Sequence, residues 1–281
     1  MTVSNRFDVK MIDAIEQKKL RERFNPEGSL LRQHQLRMLD MLKYIDAVCR
    51  KNNIKYWLCS GTLIGAVRHG GFIPWDDDVD IEMLKEDYKK LVKVMKNEPQ
   101  DDYVLQTHET DSNYYYPFAK LRDLHSCIKE NHESDRYYKY KGCFIDIFIM
   151  EPSSSLFLHK LSVKIQAGLV FRPNLIIKNR IFRNIYFPVV LFLINNLLFP
   201  LLGFISGLAA RGQLRHTLGT KFFKARNMED IFPLATTRFE DTTFFVPYNS
   251  DSYLRKIYGE YTCLPNLDMI KIHTCNIELY S

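Results

Sequence analysis

Residues 152–228 contain no aspartate or glutamate. This stretch of 77 residues holds 11 of the chain's 39 Lys and Arg and none of its 33 Asp and Glu, so it carries +11 and the remainder −5. The net charge of +6 over 281 residues describes neither part. Any fold must combine an acidic body with a basic, acid-free insert. Within the insert, residues 184–210 run uncharged between Arg183 and Arg211, interrupted by Pro188, Asn195, Asn196 and Pro200. With 46% hydrophobic and 26% charged residues, the chain is of folded, globular composition.

The acidic body reads as α+β. Leu31, Met38, Leu42, Ile45 and Cys49 recur at helical spacing, predicting a helix over 29–52 that ends at Lys51-Asn52-Asn53. Residues 55–59 predict a short strand, and Ser60-Gly61-Thr62 a turn that opens a helix to about Arg68. Alternation predicts a strand over 78–83, followed by a helix over 86–97 stopped before Pro99. Further strands are expected at 103–107, 118–124, 143–148 and 243–247, with a short helix over 251–258. The polar start, Met1 through Arg23, has no apolar run of signal-peptide length, so export by that route is not expected. The six cysteines include no CxxC pair, which predicts free thiols in a reducing compartment and disfavours zinc.

The chemistry concentrates in Trp75-Asp76-Asp77-Asp78-Val79-Asp80-Ile81. In a strand, Asp78 and Asp80 point to one face. Carboxylates held side by side repel unless a cation intervenes, and a hard cation such as Mg²⁺ selects carboxylate oxygens and substrate phosphates. A solvated acidic loop is the plain alternative, but Trp75, Val79 and Ile81 do not suit one. Phe144-Ile145-Asp146-Ile147-Phe148 buries a third acid in an apolar strand, where it needs a metal, a basic partner or a proton. A three-carboxylate metal site accounts for all three more economically than separate structural roles. The Ser60-Gly61-Thr62 turn offers backbone N–H groups to a phosphate, although most such turns are only turns.

The string from Cys59-Ser60-Gly61-Thr62 through His69-Gly70-Gly71-Phe72-Ile73-Pro74-Trp75 to Asp80-Ile81 closely resembles the LicD family, within the nucleotidyltransferase-like superfamily. That family includes phosphocholine transferases and polyol-phosphate transferases of the fukutin type. The likeness continues through Lys120-Leu121-Arg122-Asp123 and Phe144 to Phe148, and resumes at Val246-Pro247, Tyr253-Leu254 and Tyr258-Gly259-Glu260-Tyr261. The resemblance implies a nucleotidyltransferase-like mixed β-sheet flanked by helices. It also implies a reaction in which a CDP-linked donor such as CDP-choline gives its phospho-alcohol to a glycan hydroxyl and releases CMP. The glycan would be of the lipopolysaccharide or teichoic acid kind. Asp78 and Asp80 would bind Mg²⁺, or Mn²⁺ in its place. Asp146 would complete the site and take the acceptor proton. Gly61 and Thr62 would hold phosphate oxygens, with Arg68, Lys120 and Arg122 on the diphosphate and His69 near substrate. For each basic residue an ordinary ion pair is the alternative, and a loop histidine is more often structural. Trp57, Trp75 and Tyr114-Tyr115-Tyr116 are available for a choline cage, but core packing explains any one of them better.

The chain then divides into an N-terminal extension (1–28), a catalytic core (29–151), a helical insert (152–228) and a C-terminal segment packing back on the core (229–281). The uncharged run is long enough to cross a bilayer, which takes about 20 apolar residues. A single crossing would, however, part the C-terminal motif from Asp78. The expectation is a helical hairpin split at Asn195-Asn196, lying in the membrane interface with its Lys and Arg on anionic lipid. A hairpin buried in the core is the alternative. This predicts a cytoplasmic protein, peripheral on that face of the membrane, with a lipid-linked glycan as a fitting acceptor. Rival readings are a nucleotidylyltransferase, which would move the NMP instead, and a non-catalytic membrane-bound nucleotide-binding protein. Nucleic acid is not an expected partner, because the basic residues surround an apolar run rather than a stacking groove.

Overall fold

The computed structural model describes residues 12–128, 137–270 and 277–279. Cys275 and residues 1–11 of the N-terminal stretch lie outside them. The first two helices, α1 (Ala14–Phe24) and α2 (Leu30–Lys51), begin at side-chain caps from Asp13 and Ser29. In α2, Met38, Leu42, Ile45 and Cys49 are buried at the spacing that predicted the helix. Asn53 then turns the chain with φ of +52°.

Strand β1 (Trp57–Leu58) leads into α3 (Ser60–Ile64), which continues as one π turn over Gly65–His69. There follow β2 (Asp80–Leu84), α4 (Lys85–Asn97), β3 (Tyr103–Gln106), β4 (Ala119–Asp123), β5 (Ser126–Ile128) and β6 (Phe144–Pro152). The regular strand begins at Asp80 rather than Asp78. Even so, Asp146 N–H already donates to Val79 C=O at 2.9 Å, so the pairing reaches back almost to Asp78.

The sheet is mixed and flanked by helices. Its main path runs β1-β2-β6-β4-β3. Strand β6 lies parallel to β2 and antiparallel to β4. The face of β6 carrying Ile145, Ile147 and Ile149 is buried with Ile81 and Met83 of β2. Helix α2 packs on β6, and α4 on β2, β3 and β6.

The helical part of the insert comprises α5 (Leu156–Gln166), a π turn, α6 (Arg172–Ile176), α7 (Arg180–Leu193), a second π turn at Ile194–Leu198, and α8 (Phe199–Gly207). It is a hairpin, but the break expected at Asn195-Asn196 does not occur. Arg180–Gly207 is one helix of 28 residues, and the chain reverses instead at residues 177–179. The wider π turn accommodates Pro200, which lacks an N–H, and Asn196 Nδ2 turns its donor onto Phe192 C=O at 3.1 Å. Nor is the whole of 152–228 an appendage. Strand β7 (Gln213–His216) pairs with β6, and β8 (Arg226–Asn227) pairs with β7, so the end of the insert belongs to the central sheet.

The chain closes with α9 (Met228–Ile231), the hairpin β9 (Ala235–Phe239) and β10 (Thr242–Val246), α10 (Ser250–Tyr258), and β11 (Ile277–Leu279) against β5. Phe239, Phe244 and Tyr253 are buried in the main core. Glu240, in the β9–β10 turn, accepts from Arg32 at 2.8 Å and from Phe72 N–H at 3.1 Å, locking this segment over the Gly70-Gly71 loop. The described cysteines are all free thiols, with Cys263 exposed.

Candidate active site

Register assembles the site. Asp80 of β2 sits opposite Asp146 of β6, and Asp146 sits opposite Lys120 of β4. Paired residues on neighbouring strands share a face, so two acids and a lysine form a row across three strands. Lys120 Nζ is 2.7 Å from Asp146 Oδ1 and 3.3 Å from the centre of the Phe144 ring. Asp78 joins the row from the loop before β2. Burial first, then the charges of Asp146 and Asp77, push its carboxyl up to about 6, against the lowering effect of Lys120. Burial and the charges of Asp78, Asp146 and Asp76 raise Asp80 well above the ordinary carboxylate range.

Asp76, which the sequence reading passed over, belongs to the same cluster. It too is raised well above the ordinary range, by burial and then by Asp78 and Asp77. It lies directly against α3: a Cβ on Gly61 would come within 2.6 Å of Asp76 Oδ2. A side chain at position 61 would displace the acid. Ser60 has φ of +50°, a conformation L-residues rarely adopt, and its hydroxyl interacts with both Asp80 and Tyr258. The Thr62 hydroxyl accepts from Asp80 N–H at 2.8 Å, so it fixes the start of β2.

The acid loop is held from behind by α2. Gln35 Nε2 donates to Asp76 C=O at 2.8 Å, and His34 Nε2 lies 3.0 Å from Asp77 C=O. Burial lowers the His34 pKa, so a neutral ring suits that contact. Both side chains are buried polar residues of α2, on the part of the helix turned toward the acid loop.

Of the expected site residues, Asp78, Asp80, Asp146, Gly61, Thr62 and Lys120 are brought together. Arg68 is directed elsewhere: its Nη1 donates to the carbonyls of Tyr261 and Cys263 at 2.6 and 3.1 Å. His69 Nε2 accepts from Arg68 at 3.0 Å and its Nδ1 meets Gln17 Oε1 at 2.7 Å. Burial and the Arg68 charge lower His69 to about 3, so it stays neutral. Arg122 is buried and donates to Gln106 Oε1 and Gly142 C=O, both at 2.8 Å. Trp57 and Tyr115 are packed in the interior, and Trp75 stacks edge-on against Phe24 and His69.

The next acid on β2, Glu82, has a different role. It is fully buried, and Oε1 accepts from Arg226 Nη2 at 2.8 Å and His216 Nε2 at 3.0 Å. Its Oε2 accepts from Tyr253 Oη at 2.6 Å and Trp57 Nε1 at 3.0 Å. Although burial opposes ionisation, the Arg226 charge and the donors from His216 and Tyr253 bring Glu82 down to about 2.

Among the described residues, no three His, Cys, Asp or Glu side chains stand as a preformed metal-ligand set. The donor chemistry still fits a hard cation. All-oxygen groups raise one another's pKa here, a strain that a divalent ion or bound protons relieve.

With this geometry in place, similarity to known proteins becomes informative. Residues 53–189 match the family described as LicD/FKTN/FKRP, nucleotidyltransferase domain. A lipopolysaccharide cholinephosphotransferase LicD of Haemophilus influenzae is 37% identical over 137 residues, which is 48% of this chain and 50% of that protein. An uncharacterised protein of Rickettsia prowazekii is 32% identical over 131 residues, covering 40% and 49% of the two chains. The human ribitol 5-phosphate transferase FKRP is 47% identical over 45 residues, 16% of this chain and 9% of that protein. The match thus spans about half the length of the first two relatives.

Proposed function

We propose that this chain transfers phosphocholine, or a similar phospho-alcohol such as ribitol phosphate, from a CDP-linked donor to a hydroxyl of a cell-surface glycan, releasing CMP. The observation that carries this reading is the row Asp80, Asp146 and Lys120 across three strands, joined by Asp78. The match to the LicD family and the names of two relatives support the substrate class.

In this reaction the acceptor oxygen bonds to the phosphorus bearing the alcohol, and the bond from that phosphorus to the bridging oxygen of CMP breaks. Phosphoryl transfer depends chiefly on positioning and charge neutralisation. Asp78 and Asp80 would hold a Mg²⁺ ion, or Mn²⁺ in its place. That ion would supply charge neutralisation on the diphosphate. Asp146 takes the acceptor proton, and Lys120 orients its carboxylate. Gly61 leaves room for Asp76, and the first N–H groups of α3 would be the donors offered to phosphate oxygens.

CDP-choline, CDP-ribitol and CDP-glycerol should be compared for CMP release with Mg²⁺, with and without chelator. CMP release from one of them, abolished by Asp78→Asn or Asp146→Asn in folded protein, is expected. Full turnover by either variant refutes the site assignment. Pyrophosphate as the leaving group would replace this reading with nucleotidylyl transfer. Absence of metal-dependent turnover with all three donors would favour a non-catalytic nucleotide-binding role.

A further inference from the structure

The long helix Arg180–Gly207 has 28 residues and so runs for about 42 Å. One face is packed: Phe187, Leu191, Ile194 and Phe199 are buried with Tyr115, Val170 and Leu218. The other presents Ile181, Ile185, Val189, Phe192, Leu197 and Phe204, each more than half exposed. Only 22% of the helix's most apolar 18-residue window is buried, so this is not a core hairpin. An apolar strip of this length on a soluble surface marks a docking face.

Three observations select the occupant. First, the helix is long and apolar enough to cross a bilayer, but a single crossing does not suit this fold. Its inner face is fixed to the protein, and Ser206 bonds back to Ser153 Oγ at 2.8 Å and Ser154 N–H at 2.9 Å, so the hairpin leaves and re-enters the sheet at one place. Second, every Asp, Glu, Lys or Arg in 152–228 is a cation, and Arg172, Lys178 and Arg180 stand exposed around the hairpin turn. Third, a two-fold contact through this face would set the insert against another copy of the insert, which carries cations and no acid to meet them. A lipid surface with anionic headgroups supplies both complements, acyl chains for the strip and phosphates for the turn.

We infer that the exposed face of this hairpin docks in the interfacial plane of an anionic membrane, with Ile181 to Phe204 at the headgroup–acyl boundary and Arg172, Lys178 and Arg180 on headgroup phosphates. The inference does not rest on the transferase reading. If that reading also holds, docking would bring the carboxylate site to lipid-borne acceptors.

The test is flotation of the full purified chain with vesicles of phosphatidylcholine alone and of an equimolar mixture with phosphatidylglycerol. Two combined variants accompany it: Ile185→Glu with Val189→Glu and Phe192→Glu, and Arg172→Glu with Lys178→Glu and Arg180→Glu. All six side chains are exposed, so unchanged circular dichroism and melting are expected. The wild type should float with the mixed vesicles and more weakly at 1 M salt, where the screening length falls to about 3 Å and only the apolar contribution remains. Each variant should lose at least tenfold in vesicle affinity. The inference is overturned if the wild type fails to float with anionic vesicles, or if the variants float as it does. Resistance to alkaline carbonate extraction would overturn it in favour of a span. A dimer that the Glu variants dissociate without changing flotation would overturn it in favour of a second copy. CMP release with a soluble acceptor sugar, measured without vesicles, tests the reaction independently.

Discussion

Replacing Glu82 by Gln should cost about 3 kcal/mol at neutral pH, and the cost should shrink in acid. All four neighbours of this carboxylate donate: Arg226 and His216 to Oε1, Tyr253 and Trp57 to Oε2. Glutamine keeps the volume but turns an NH₂ group toward one of those donor pairs and leaves the buried Arg226 guanidinium without its counter-charge. Breaking a buried pair by removing one partner costs about 3–5 kcal/mol. A separate route gives a similar figure. Glu82 is held at about 2, against an ordinary 4.5, and that gap corresponds to roughly 3 kcal/mol. The folded-state pKa is depressed, so the stabilisation is fully present above pH 4.5 and lost as pH falls through about 2. At pH 3 about 1 kcal/mol of it should remain. The assay is urea unfolding of wild type and Glu82→Gln at pH 7 and pH 3, followed by tryptophan fluorescence, since Trp57 touches the substituted group. A difference that stays constant between the two pH values, or one below about 1 kcal/mol at pH 7, would refute this account of Glu82.

Gly142→Ala would place a Cβ into the Asp123 carbonyl oxygen, which is backbone and cannot swing away, so a thermal melt should show destabilisation of about 1–3 kcal/mol or more. Gly61→Ala instead meets a side-chain oxygen of Asp76 at 2.6 Å; CMP release should fall at least tenfold while the melting temperature moves little. Lys120→Met leaves Asp146 facing Asp78 and Asp80 uncompensated, so CMP release should drop more than tenfold and Lys120→Arg should recover part of it. Equal rates in the methionine and arginine variants would show that the charge at position 120 does not matter.

Much of the body was legible because hydrophobic period and turn chemistry agree there. Helix α2 declares itself through Met38, Leu42, Ile45 and Cys49, and β6 through an apolar run broken by one acid. The short strands β7 and β8 were hidden, because Gln213–His216 has no alternation to distinguish it and acquires strand geometry by pairing with β6. The hairpin turn was misplaced for a similar reason. Asn and Pro are breakers by local propensity, but a π turn in a packed helix absorbs Asn195, Asn196 and Pro200, while residues 177–179, less conspicuous in sequence, reverse the chain.

The site shows where residue spacing stops being informative. Asp78, Asp80 and Glu82 alternate identically in sequence, yet the structure treats them differently. Asp80 stands in register with Asp146 and Lys120, whereas Glu82 is surrounded by donors from β1, β7, β8 and α10. The difference is made by residues more than a hundred positions away, His216 and Arg226, both within the acid-free stretch. That changes the meaning of the charge asymmetry. Arg183, Arg215 and Arg226 are buried, and Arg226 neutralises an acid of the body, so part of the insert's +11 is internal compensation. The remaining cations, Arg172, Lys178 and Arg180 among them, are exposed. The asymmetry that looked like one feature therefore has two physical origins: a buried counter-charge that fixes the middle of β2 beside the carboxylate row, and a cationic rim around an unpartnered apolar helix face.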